Sequence, residues 1–451
     1  MLEFFFKHKF LPILFGVALF STVETYAQEG LDAFVKAENF RQNQDFTNAL
    51  LEYDKAILKE PKNLKYLYNK CLCFHETQKK PKETIECFQK VVTAQSDYNL
   101  TAYELIAENY VKLDNADEAI KNYEIAYKKR EDVSYKYYIL DLLFKEGRAV
   151  EALPHIEVAR KLAPEDFQIM YFEARYHNIM GTHEEALASM KKVFEILGSE
   201  VSGPDFAKYF YELGYAEHAL GNYSAANQAF AGARENNYFN LKVKELSWEN
   251  YLAVAKSYLD IFENEVARDL LNKVLMMQPD QPEAKELVKK MEANQADATT
   301  SIASLVSRVN DMKKKGASPM QLAPLQNELA IRYFQTGNYD DALKCANEYL
   351  SVNANDVRVQ FLRGACEYRL GNSDEAEYVF ESIGKSAKVE GEARVKCYFA
   401  MGVVQRKTKQ YDLARKTFKK ALGGTFVAAA KYETELIKRT VQQEKGGKLK
   451  K

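Results

Sequence analysis

Arg358, Phe361, Tyr368, Arg369, Lys396, Phe399, Arg406 and Lys407 place cations beside aromatic rings within one stretch of the chain. That pairing can clamp a carboxylate or an acidic segment; a solvated basic face is the alternative reading of the same residues. A second set is aromatic. It consists of Tyr68, Tyr137, Tyr171 and Tyr211, with Arg175 and Tyr215 one turn further along and His75, Phe144 and His218 another turn on. Tyrosine joins apolar area to a hydroxyl, so such a ladder suits an extended peptide or a partner helix. Ordinary packing of amphipathic rings is its alternative. Bond-making chemistry finds no support. His75, His155, His177, His183 and His218 are scattered, and H-E-x-x-H, G-x-S-x-G and a glycine-rich phosphate loop are all missing. Glu184 and Glu185 follow His183 where a helix opens, and acids favour a helix N-terminus without any catalytic role. Cys71 and Cys73 are two residues apart, so on a helix they point away from each other and cannot chelate one ion. No enzyme, cofactor or metal is expected.

The elements that must position these residues repeat. Phe46–Asn63 (FTNALLEYDKAILKEPKN), Asp117–Lys129 (DEAIKNYEIAYKK) and Gly337–Leu350 (GNYDDALKCANEYL) each read as the second helix of a hairpin. Small residues anchor ten such helices: Ala49, Thr84, Ala119, Ala152, Ala186, Ala226, Ala267, Ala342, Ala376 and Ala414. One turn later comes a bulky residue, as in Tyr53, Phe88, Tyr123, Phe230, Phe380 and Phe418, with Ala346 the exception. Pro61, Pro164 and Pro279 stop the second helix. Gly147, Gly181, Gly221, Gly337 and Gly371 fall in the turns, where a left-handed residue ends a helix cheaply.

Together the period of about 34 residues and the small-then-bulky pattern resemble the tetratricopeptide repeat, an antiparallel helix pair that stacks on its neighbours. The resemblance implies an all-α fold, an α-solenoid of about ten hairpins in two arrays forming a right-handed superhelix. It implies that the first helix of each pair lines the concave side, which is where it would put both residue sets above. The cation and aromatic set resembles carboxylate-clamp repeats in general chemistry only, since that clamp's asparagines have no counterparts here. Anchors from Thr84 to Ala186 are 33 to 35 residues apart, whereas Ala267 and Ala342 are 75 apart. The spacing therefore predicts an N-terminal array over 28–280 with about seven repeats, and a C-terminal array over 323–424 with about three. Between them, 281–322 reads as a helical linker, one polar-faced helix followed by a linker around a second short one. Residues 425–451 read as a capping helix with a basic, disordered tail. Gly198–Pro204 reads as a loop and Asn236–Lys242 as an extended segment. The six cysteines read as small buried hydrophobes; the alternative is a disulfide between Cys71 and Cys87, on the two helices of one hairpin.

Net charge is -1, from 63 basic and 64 acidic side chains, so no global field recruits nucleic acid or anionic lipid. At the start, Lys7, His8 and Lys9 precede an apolar run from Phe10 to Phe20, then STVETYA ends at Ala27. This reads as a secretory signal peptide, residues 1–27, cut after Ala27; an uncleaved anchor is the alternative. No cysteine follows the run, which argues against lipoprotein processing, and no later stretch is long and apolar enough to span a bilayer. The expectation is an exported, non-catalytic scaffold for proteins or peptides, periplasmic first, with the cell surface or medium open. Its partners would be envelope components of assembly, secretion or motility machinery. A glycan-binding helical repeat protein and a cell-wall-acting enzyme are the rival readings.

Overall fold

The computed structural model describes residues 28–198 and 201–449; the expected signal peptide lies outside the described residues. Those residues form helices joined by short turns, and no strand occurs among them. The fold is an α-solenoid of helical hairpins. All ten small anchors are at most 1% exposed, and the bulky partners Tyr53, Phe88, Met190, Leu271 and Phe418 are equally enclosed. The reason is steric. A Cβ built on Gly214 would lie 2.5 Å from the Phe230 ring, on Gly364 2.8 Å from Phe380, and on Gly402 2.6 Å from Phe418. Each of these three first helices thus offers a recess into which the second helix of its own hairpin drops a phenylalanine.

Helix ends follow local chemistry. Asn115 and Asn338 cap the Ala116–Arg130 and Tyr339–Leu350 helices by accepting from the third backbone N–H. Second helices stop at Lys59, Leu162 and Met277, two residues before Pro61, Pro164 and Pro279. The turn glycines 147, 181, 221, 337 and 371 all have φ between 67° and 89°.

Contacts divide the chain into two compact units, one ending at Phe172 and the other beginning at Glu173. The break that the repeat spacing places over 281–322 is not where this division falls. Within the second unit, one core runs from Tyr251 through Ala267 and Val274 to Phe361, Phe399, Phe418 and Ile437.

Several local expectations are corrected. Pro282–Lys314 is a single helix of 33 residues, where a polar helix and a linker around a shorter one were expected. The run ADATTS does not break it, because the Thr299 and Thr300 hydroxyls donate to the carbonyls of Gln295 and Ala296 one turn back. Ala298, Leu305 and Val309 then bury one face of it. Asn237–Glu245 is helical, not extended, and the Asn236 side chain accepts from the Tyr238 N–H at its start. The last helix, Val427–Leu449, takes in most of the tail expected to be disordered. It is not a polar cap on every face, since Glu433 is 0% exposed. Cys71 and Cys87 are bridged, with Cα atoms 5.4 Å apart, so the reading of all six cysteines as packing thiols holds only for Cys73, Cys345, Cys366 and Cys397.

Candidate partner-binding surfaces

In the second unit the Val357–Arg369 and Gly391–Lys407 helices are first helices of their hairpins. They carry the cation and aromatic set, but most of it already has a partner within this unit. The end of the Trp248–Asp260 helix and the turn Ile261–Glu263 are seated on it. The Phe262 ring lies 5.3 Å from Phe334 and 6.0 Å from Phe361. Lys396 Nζ stands 4.3 Å from the Phe361 centroid and 5.4 Å from that of Phe262. Arg369 donates to the Phe262 carbonyl at 3.1 Å and lies 3.3 Å from the Glu263 carboxylate, which also accepts from Lys407 Nζ at 3.0 Å.

One turn away, the Tyr258 ring packs 5.5 Å from Phe399 and its hydroxyl donates to the carboxylate of Glu433, which Arg406 also pairs. Burial pushes the Glu433 carboxyl above the usual carboxylate range, against the pull of Arg406. Burial likewise lowers the Lys396 ammonium, with Asp260 opposing.

Phe361 and Phe399 are therefore core residues, 3% and 0% exposed, rather than open groove positions. Arg369 and Arg406 are mostly enclosed by the carboxylates they hold. Arg358 is freely exposed and pairs back on Asp356 of its own helix start, while Lys407 is exposed along its stem and spends its ammonium on Glu263. The clamp chemistry expected of these residues is present, and the carboxylates come from the chain itself.

The tyrosine ladder resolves differently in each unit. Tyr68 is buried against Phe88 at 5.5 Å and Tyr98 at 5.9 Å. Tyr137 donates its hydroxyl to Asp166 at 2.6 Å and packs on Phe172, and Tyr171 is buried beside Phe172. These rings pack between hairpins, the plainer of the two readings. In the second unit Tyr211 lies among Tyr215, Phe230 and Phe239. Tyr215 is covered by the Arg439 guanidinium, 4.9 Å from its centroid, from the last helix. Arg175 sits 3.9 Å from Glu212, whose carboxylate accepts from Asn178 at 2.8 Å. A cavity of about 100 Å³ remains between Tyr211, Tyr251, Tyr432 and Arg439.

Sequence reasoning passed over a more open surface in the first unit. Glu104 stands 15 residues before its anchor, as do Tyr137, Tyr171 and Tyr211 before theirs. Being acidic, it did not join an aromatic ladder, although the register alone points to it. Beside it are Glu108, His75 and Tyr138, the last 43% exposed. His75 Nδ1 is 3.0 Å from the Asn109 amide and its Nε2 3.6 Å from Glu108. Burial, and then the neighbouring Glu104, raise the Glu108 carboxyl. Acids beside a half-open tyrosine suit a cationic or amide-rich segment. No group of three or more His, Cys, Asp or Glu placed to hold a metal occurs among the described residues.

Models of the tetratricopeptide repeat match residues 105–167, 327–388 and 395–423. The chain carries tetratricopeptide repeats. No curated protein matches it by sequence. Among solved structures it is similar to a tetratricopeptide repeat protein from Parabacteroides merdae ATCC 43184, at 14% identity and TM-score 0.26, over 75% of this chain and 98% of that one. It is also similar to YrrB, described as a TPR protein with an unusual peptide-binding site, at 20% identity and TM-score 0.31 over 52% and 97%. A third likeness is to MamA, at 17% identity and TM-score 0.28 over 48% and 95%. Tetratricopeptide repeats make this a protein-interaction scaffold in general terms, of a fold that is typically non-catalytic. No helix among the described residues is long and apolar enough to cross a membrane.

Proposed function

We propose that the chain is an exported scaffold of the bacterial cell envelope. It holds protein or peptide partners on its tetratricopeptide repeats in support of assembly, secretion or motility machinery. The observation that carries the export half is the Cys71–Cys87 bridge, because structural disulfides persist in oxidising compartments and are rare where glutathione keeps thiols reduced. The basic and apolar start, ending in STVETYA, supports the same reading. On the binding half, the first-helix face around Glu104, Glu108 and Tyr138 is the surface we assign to a partner.

Two measurements test it. Fractionation of the source organism, with the mature N-terminus read by mass spectrometry, should place the protein outside the cytoplasm and begin it at Gln28; an unprocessed cytoplasmic chain would refute export. Affinity capture from envelope extracts should recover partners on the wild type and lose them with Glu104→Lys/Glu108→Lys. Equal recovery by both would move the working surface elsewhere.

A further inference from the structure

One residue of the second unit breaks a local rule that the other hairpin turns keep. The turn between the Trp248–Asp260 and Asn264–Met277 helices needs a left-handed residue. Its equivalents use glycine at 147, 181, 221, 337 and 371, or a polar residue at Gln44, Asp114 and Lys409. Here it is Phe262, with φ 64°. A bulky apolar side chain in this conformation is strained and persists only when its surroundings over-determine it. The next residue, Glu263, stands at the N-cap, and like Arg148, Asn222, Asn372 and Gln410 at theirs it makes no cap hydrogen bond, which leaves its carboxylate to bond elsewhere. Ring and carboxylate point the same way: the ring enters the Phe334 and Phe361 pocket under Lys396, and the carboxylate reaches Arg369 and Lys407. Sites where sequence breaks local rules in favour of a distant contact are the ones to read as functional.

The seat is not sealed. A cleft of about 590 Å³ opens directly beside it, lined by Leu259, Phe262, Arg268, Lys290, Phe334 and Arg369. Its mixture of apolar walls with the further cations Arg268 and Lys290 continues the chemistry of the seat, and its volume is in the range of ligand pockets.

We propose that the concave face of residues 357–407 is a recognition groove for a peptide segment carrying an aromatic residue followed by an acid, and that the chain's own Phe262–Glu263 pair holds it closed. A partner segment with the same pair, free of the left-handed strain, enters through the cleft. It places its ring between Phe334 and Phe361 and its carboxylate between Arg369 and Lys407, and it displaces the turn. This rests on the reading of the chain as a scaffold for protein segments and names the chemistry one groove selects. Failure at this groove leaves capture by the first unit untouched, so the two outcomes are distinguishable.

The probe is a fluorescein-labelled synthetic peptide of residues 255–266, titrated by anisotropy into full-length protein. The variant Phe262→Gly/Glu263→Gln empties the seat and relieves the backbone. The peptide should bind this variant at least tenfold more tightly than the wild type. Binding should fall at least tenfold when Glu263 of the peptide is glutamine and Glu265 is kept, or when Arg369→Ala is added. A variant with unchanged helical circular dichroism that binds no peptide overturns the proposal. So does a variant whose size grows with concentration, which would assign the seat to a second copy of the chain. Should the variant not fold, hydrogen exchange on the wild type decides. Amides of 260–264 that open far more readily than those inside the 391–407 helix are expected, and protection equal to that helix overturns the proposal.

Discussion

Replacing Gly402 by alanine should destabilise the second unit, although alanine is the better helix former. In the Gly391–Lys407 helix the change gains about 0.8–1 kcal/mol of propensity. The new methyl would lie 2.6, 2.8 and 2.9 Å from three ring carbons of Phe418, which is itself 1% exposed and has nowhere to retreat. Overpacking of this kind costs about 1–3 kcal/mol, so the net effect is a loss of roughly 0–2 kcal/mol, centred near 1, after propensity is subtracted. Gly447, in the Val427–Leu449 helix, has nothing within 4 Å of where an added methyl would stand, so Gly447→Ala retains the gain alone. The assay is urea unfolding followed by the fluorescence of Trp248, the chain's single tryptophan, which packs against the same core. The midpoint should fall for Gly402→Ala by about 0.3 M, taking m near the upper end for urea, and rise slightly for Gly447→Ala. Adding Phe418→Leu to Gly402→Ala should recover part of the loss, because the two share one recess. Equal shifts in the two single variants would refute the reasoning that glycine is there to admit the ring.

Other outcomes follow from the same structure. Cys71→Ser/Cys87→Ser should cost the first unit about 3 kcal/mol, the expectation for a loop of about 15 residues, and dithiothreitol should destabilise the wild type but not this variant. His218 is 4% exposed, and burial, followed by the nearby Lys273, depresses its imidazole to about 3. The unfolded chain then takes up a proton near pH 6.5 that the folded chain refuses, so this contribution is intact above about 6.5 and lost as pH falls toward 3. His218→Phe, which keeps the ring stacked on Tyr251, should flatten that acid limb; an unchanged limb would assign it to other groups. Glu-C should cut first after Glu292, in the exposed stretch 292–297 of the 33-residue helix, and a first cut inside a hairpin of the first unit would contradict this.

The parts legible in the sequence are those set by neighbours about one repeat away. The ten anchors, the turn glycines and the proline stops each report a contact inside a hairpin or with the next one, and a period of about 34 residues exposes them. The first-helix register also named Arg369, Arg406 and Lys407, the residues that hold Glu263 and Glu433. Their occupants were not. Tyr258 meets Glu433 across 175 positions and Glu263 meets Lys407 across 144, and no periodicity reports on pairs so far apart. The 33-residue helix was read as two pieces joined by a linker, although the Thr299 and Thr300 hydroxyls return to carbonyls one turn back and the helix runs through them. Cys71 and Cys87 were recognisable as a possible pair, on facing helices of one hairpin, but their burial could equally have served two packed thiols.

The second unit closes on itself, its clamp residues gripping a carboxylate of its own turn. A double-mutant cycle between Glu263→Gln and Arg369→Met, read by Trp248 fluorescence in urea, tests it most directly. Residues that share a buried contact show coupling of about 0.5–3 kcal/mol, whereas distant residues add to within about 0.5 kcal/mol. The account predicts coupling of at least about 1 kcal/mol between these two, which stand 3.3 Å apart with Glu263 3% exposed. Simple additivity would contradict it, and would leave the groove open and its carboxylate still to be supplied from outside.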